Sequence, residues 1–307
     1  MLQKRIDPAA WLGNAIPAEP TKVSVLVSYA YMREIPDEIL GWLFANPYVE
    51  WLLDCGAFSA LNAGFEISLA DYMAFVQRWK HLLFGYIALD KLGDPKQTDE
   101  NLRVMLVEGL QPIPVHVRGD DGHRMDFLFQ KSDLVAFGGL RRPHVGSASI
   151  EYVKQKMMWA RGRSVHWLGY TNDRDIRAFR PFSCDCSTVT SSARYGVCYF
   201  YLGNGRFDAL TKNEFRVSPT VGRVEAVRAA GYSYSDLMAR CAWRAHRSVM
   251  EYVCCMSYVR YALDLRRSVG TRVFLAVVRE LHAIWNAVNR TVGINNPYKW
   301  EEYKCLQ

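Results

Sequence analysis

The chain has 307 residues, half of them apolar and 22% charged, which excludes a disordered polypeptide and leaves room for one large domain or two small ones. Its formal net charge of +7 is unevenly spread: residues 1–140 hold 12 Lys and Arg against 18 Asp and Glu, whereas residues 141–307 hold 26 against 13, so the two parts carry −6 and +13. Much of the excess is arginine, including Arg141, Arg142, Arg161, Arg163, Arg240, Arg244, Arg247, Arg266 and Arg267, which suits either a polyanionic partner or a solvated basic surface. No apolar run reaches the roughly 20 residues of a bilayer crossing, and the first residues lack an apolar leader core, so a cytoplasmic protein with no membrane partner is expected. Eight cysteines without regular spacing read as reduced thiols.

In chain order, short apolar runs alternate with amphipathic ones. Strands are expected at 22–28, 50–55, 85–90, 112–117, 134–139, 164–169 and 181–185, and helices at 68–81 behind the capping Ser68, 98–108 and 149–160. Such alternation predicts a parallel sheet with right-handed crossovers. Seven strands in this rhythm fit an α/β fold of the (β/α)8 TIM-barrel type better than an open sheet, and no G-x-G-x-x-G turn follows the first strand. From about Val217 the pattern changes to long Arg-rich helices, expected at 233–265 and 271–291. The organisation expected is a single domain over 1–307, with the barrel at about 22–216 and a helical extension at about 217–307 packed on it.

Catalytic groups of such barrels lie at the C-terminal strand ends. Here those ends carry Asp54, Asp90, His116, Gly138-Gly139, Gly169-Tyr170 and Asp185. A single aspartate at such a place commonly caps a helix or starts a turn. Three on separate strands, with a glycine pair between, favour a shared site, because a carboxylate buried at a strand end is costly unless it is used. His116 either lines the pocket or fills the core, and His166, inside its strand, reads as a core residue. Phe58, Tyr170 and Tyr195 follow strand ends and could stack on a flat substrate, although packing is the ordinary use of any one aromatic.

Several of these segments resemble the tRNA-guanine transglycosylases. Asp54-Cys55-Gly56-Ala57-Phe58 is similar to their D-S-G-G-F, Phe137-Gly138-Gly139-Leu140 to A-L-G-G-L, Val165-His166-Trp167-Leu168-Gly169 to H-x-L-G, and Asp185-Cys186 with Ala193-Arg194-Tyr195-Gly196 to D-C-x(n)-A-R-x-G. The resemblance covers about residues 22–205. The stretch from Leu89 and Asp90 to Asn101 looks more like the bacterial and phage branch that inserts 7-deazaguanines into DNA.

The resemblance implies a pentosyltransferase. Asp185 would attack C1′ of a guanosine nucleotide and form a covalent glycosyl-enzyme, with Asp54 moving the proton. Asp90 would accept from the N1–H and 2-amino group of guanine. The backbone of Gly139 and Leu140 would approach the other edge of the base, with Gly138, Phe58, His116, Gly169 and Tyr170 around it, and Arg194 would hold a phosphate or pair with Asp185. The partners implied are DNA, with tRNA as the alternative, and a free 7-deazaguanine base such as preQ0, in the cytoplasm of a bacterium or of a phage's host. The tRNA enzymes carry a C-x-C-x-x-C zinc run, a later histidine and an RNA-binding domain. Cys241, His246, Cys254 and Cys255 do not reproduce that run, and adjacent helical cysteines point about 100° apart, so no cofactor is expected and DNA is favoured. The same pair of aspartates would also suit a barrel glycoside hydrolase or lyase, and the basic helices alone a nucleic-acid-binding module.

Overall fold

Parallel strands buried on both faces need near-continuous apolar runs. The first strand, β1 (Val23–Ser28, V-S-V-L-V-S), is buried over its whole length, and β2 (Val49–Asp54) is buried at four of six positions. The computed structural model describes residues 22–140, 148–190, 195–211, 220–234, 247–277 and 281–291. After β1 come α1 (Tyr29–Met32), α2 (Asp37–Phe44), β2, α3 (Ala57–Ala63), α4 (Leu69–Trp79), β3 (Gly85–Tyr86), α5 (Pro95–Val107), β4 (Val115–His116), α6 (Gly122–Phe129), β5 (Leu134–Phe137), α7 (Ala148–Ala160), β6 (Ser164–Trp167), α8 (Asp173–Phe179) and β7 (Ser183–Cys186). All seven expected strands are present, β2 at its expected length and the others shorter than expected. Helix α4 begins at its expected cap, where Ser68 accepts from the Asp71 N–H. Helix α5 begins earlier than expected, because Asp94 caps it and Pro95 takes the first turn, where its missing N–H costs nothing.

One expectation fails and changes the sheet. The run after Gly270 was expected to be helical over 271–291, but residues Arg272–Val277 form a strand, β10, and the helix that follows is only Leu281–Thr291. The run Val-Phe-Leu-Ala-Val is β-branched and aromatic, and Gly270, with a φ of +80°, turns the chain out of the preceding helix. The Arg272 N–H donates to Phe182 O at 3.1 Å and the Thr271 hydroxyl to Pro181 O at 2.8 Å, fixing the new strand to the start of β7.

The eight strands form one curled parallel sheet in the order β3-β2-β1-β10-β7-β6-β5-β4. The register pairs Leu53 with Tyr86, His116 with Phe137, Ala136 with His166 and Trp167 with Cys184. The curl brings distant strands together. Phe84 before β3 lies 6.2 Å from Phe182 before β7 and 5.4 Å from Phe274 of β10, centroid to centroid. A parallel bridge pairs Ile87 with Ile113, just beyond β3 and just before β4, which are the two end strands. There the Ile113 N–H donates to Tyr86 O and the Ala88 N–H to Ile113 O, at 2.8 and 2.9 Å.

The chain separates into two compact units, one of residues 24–186 and 270–274, holding most of the sheet and α1–α8, and a second of the remaining described residues. The second contains an antiparallel hairpin, β8 (Val197–Gly203) and β9 (Arg206–Thr211), where the sequence reading ran the barrel on to about 216. Its Asn204-Gly205 turn has positive φ at both residues, 53° and 72°, matching the twist of a hairpin. Also in this unit are α9 (Val221–Ala229) and α10 (Arg247–Val269), a 23-residue helix whose Tyr258 stacks on Phe207 at 4.9 Å. The Tyr201 hydroxyl donates to Asp264 at 2.5 Å, and Arg223 pairs with Asp208 at 2.6 Å. Among the described residues no helix is long and apolar enough to cross a membrane.

Candidate active site

Asp54 is the half-buried last residue of β2, which delivers it to the C-terminal end of the sheet. Its Oδ2 accepts the Gly56 N–H at 3.0 Å. Burial, together with the charges of Asp185 and Asp90, raises its pKa from 3.8 to about 6 despite that hydrogen bond. Asp54, at the end of β2, therefore feels the charges of both Asp185 of β7 and Asp90 of the segment after β3.

Asp185 in β7 is 7% exposed. Its Oδ1 accepts the Gly169 N–H at 2.7 Å and faces His166 Nε2 at 3.4 Å, and Oδ2 has no partner among the described residues. Gly169 adopts a φ of +63° to present that N–H at the end of β6. Thr171 donates its hydroxyl to the Asp185 carbonyl at 2.5 Å, and the Ser183 hydroxyl meets His166 Nδ1 at 2.8 Å. His166 is fully buried and edge-on to Phe274. The sequence reading assigned it to the core. It is buried as expected, and its second ring nitrogen faces the carboxylate at 3.4 Å without a hydrogen bond among the described residues. The H-x-L-G segment and the two-residue alternation of β6 carried that signal.

Asp90 accepts from the Thr98 hydroxyl at 2.9 Å, and its pKa is raised by burial and further by the charge of Asp120. Thr98 belongs to the first turn of α5, so the early start of that helix is what brings its hydroxyl to Asp90. A cleft of about 260 Å³ opens beside Thr98, between Pro95, Asp99, Val117, Asp120 and Arg124, and it includes neither Asp54 nor Asp185.

The remaining expected residues divide. Gly138 continues β5, donating its N–H to His116 O at 3.0 Å, and a Cβ there would press on Val115 at 3.2 Å. Gly139 has a φ of +65° and is exposed, while Leu140 is fully buried. Phe58, on α3 just after Asp54, is 69% exposed and free to meet a ligand. The Tyr170 hydroxyl is held by Asp175 at 2.5 Å, and its ring lies edge-on to Trp167. Arg194 lies outside the described residues.

His116 corrects the expectation that it lines the pocket. It is fully buried, its Nε2 meets Asp121 O at 2.9 Å and its Nδ1 meets the Nζ of Lys156, on α7, at 2.6 Å. The ring also packs on Trp159 of α7, so it faces the helices. Burial first, and then the Lys156 charge, push its pKa down.

Two further residues shape the surroundings of Asp54: Ser28, which gave no sequence signal, and Gly56 of the D-C-G-A-F segment. The Ser28 hydroxyl, at the end of β1, is buried without a hydrogen-bond partner among the described residues. Gly56 has a φ of +84°, and a Cβ there would lie 2.8 Å from Ser28 Oγ and 2.9 Å from the Ala30 nitrogen. Gly56→Ala is therefore expected to destabilise the fold by about 1–3 kcal/mol through strain and overlap. Urea unfolding measures this, and an unchanged midpoint would mean that the turn relaxes freely.

Among the described residues no group of three or more His, Cys, Asp or Glu side chains is arranged to hold a metal ion. Cys254 and Cys255 are buried thiols of α10, and Cys241 and His246 lie outside the described residues. Comparison with family models and with curated proteins finds no match to this chain.

Proposed function

We propose that the protein is a base-exchange transglycosylase that replaces guanine in DNA with a 7-deazaguanine derivative. The observation that carries this reading is the convergence of Asp54, Asp185 and Asp90 at three strand ends, with Asp54 feeling the charge of both others. A nucleophile, a proton carrier and a base reader are what a double displacement at a glycosidic carbon needs.

An oxygen of Asp185 attacks C1′ and the bond to the base breaks. Guanine leaves with the electron pair on its ring nitrogen and takes a proton from Asp54. The incoming base, such as preQ0, gives its proton to Asp54, attacks C1′ and displaces the Asp185 carboxylate. The Gly169 N–H fixes the orientation of Asp185, with His166 packed beside it. A pKa near 6 suits Asp54 to both directions of transfer. Asp90, oriented by Thr98, accepts from the N1–H and 2-amino group, and no cofactor is needed. Closure of the curled sheet into a (β/α)8 barrel belongs to this reading, and the Ile87–Ile113 bridge supports it.

Incubation with labelled guanine and either DNA or tRNA tests the proposal. Label is expected in DNA. Label in tRNA alone would move the reading to the tRNA enzymes, and label in neither would overturn it. Asp90→Ala is expected to weaken the preference for guanine over adenine by on the order of 1–3 kcal/mol while sparing DNA binding. Competition between the two free bases reads this out, and an unchanged preference would assign base reading to another residue.

A further inference from the structure

Arg118 stands two residues beyond β4, exposed, with no carboxylate paired to it among the described residues. Its position is nevertheless built. Nη2 donates to Gly139 O at 2.6 Å, and the guanidinium lies 4.1 Å from the centroid of the Tyr152 ring on α7. A Cβ at Gly139 would lie 3.2 Å from the Arg118 Cβ, and the positive φ of 65° there also favours glycine.

The backbone that carries Arg118 is clasped from behind. Lys156, one turn after Tyr152 on α7, is fully buried and points its ammonium at three acceptors: His116 Nδ1 at 2.6 Å, His116 O at 2.7 Å and Val117 O at 3.1 Å. These use all three of its donors. The Tyr152 hydroxyl also reaches Val117 O, at 3.3 Å, and Asp120 accepts the Val117 N–H at 2.9 Å. A buried ammonium costs free energy, and here it holds the turn that presents an exposed arginine. A guanidinium has five N–H donors in a fixed fork, and Gly139 takes one of them. The open donors match a phosphate, and the ring beneath limits the freedom lost on binding.

We propose that Arg118, stacked on Tyr152 and presented by the Lys156-clasped end of β4, is a phosphate clamp for the DNA backbone. This rests on the nucleic-acid reading above and adds to it a contact outside the aspartate cluster. A contact of this kind positions DNA without reading its sequence.

The experiment measures binding of fluorescein-labelled single-stranded oligonucleotides to the full chain by anisotropy across a salt series, for the wild type, Arg118→Ala and Arg118→Lys. Arg118→Ala is expected to lower affinity about tenfold at low salt, equally for guanine-containing and guanine-free strands, and to reduce the log–log salt slope by about 0.7. Arg118→Lys keeps the charge but loses the fork, and is expected to keep the slope with part of the affinity. Unaltered affinity and slope in Arg118→Ala would overturn the clamp, as would a loss confined to guanine-containing strands, which would make Arg118 a base reader. DNA binding with this clamp behaviour but without base exchange would sink the transglycosylase and leave the clamp standing. A wild type that binds no DNA would overturn both.

Discussion

Asp185→Asn is expected to keep the fold and DNA binding and to lose base exchange by roughly three or more orders of magnitude, as removal of a nucleophile does. The substitution is nearly isosteric, and the Asn oxygen can still accept the Gly169 N–H that Oδ1 accepts at 2.7 Å, so the end of β7 should stay in place. What is lost is the negative charge that bonds to C1′. Single-turnover release of guanine from DNA measures that step apart from later ones. Release near the wild-type rate would remove Asp185 from the mechanism.

Asp54→Asn is expected to lower exchange by about two to four orders of magnitude, the usual worth of a positioned general acid or base. The pH dependence sharpens the test. With a pKa near 6, Asp54 is mostly protonated below pH 6, so release of guanine assisted by its proton should fall as pH rises through that value. The variant should lose this limb.

In Asp54→Asn, stability should move the opposite way to activity. Asp54 holds its proton more tightly in the folded state, near 6, than an ordinary aspartate does at 3.8, so the folded state binds more protons between those values and stability falls as pH rises across them. The penalty in full, above pH 6, is about 3 kcal/mol. Asp54→Asn should therefore be more stable than the wild type at pH 7 and equal to it below pH 4. Urea unfolding at the two pH values checks this, and equal stability at pH 7 would place Asp54 in a better solvated environment.

The aspartates were legible because each follows an apolar run that makes a buried strand, so that the strand's end fixes the carboxylate's place. Chain order alone could not tell which face a side chain takes. The register places His166 level with Ala136 but His116 one residue on, level with Phe137, so the two rings take opposite faces: His116 turns to Lys156 and Trp159 on α7 and His166 faces Asp185. Strand β10 was hidden because Val-Phe-Leu-Ala-Val lies among Arg-rich helices, and a short apolar run has no periodicity that separates strand from helix. Its insertion between β1 and β7 is a long-range pairing that local pattern does not encode. The hairpin was legible but unread: Asn204-Gly205 between apolar runs is a strong turn signal. Thr98 went unremarked because its use depends on where α5 begins, which Asp94 and Pro95 decide.

The most direct test of the central claim is capture of the covalent intermediate. The full chain is incubated with guanine-containing DNA without an incoming base, quenched in denaturant and digested, and the peptide joined to a nucleotide is sequenced by mass spectrometry. The account predicts one adduct, on the peptide carrying Asp185, absent from Asp185→Asn and reversed by adding guanine. An adduct on another residue, or guanine exchange with no adduct under any quench, would contradict it.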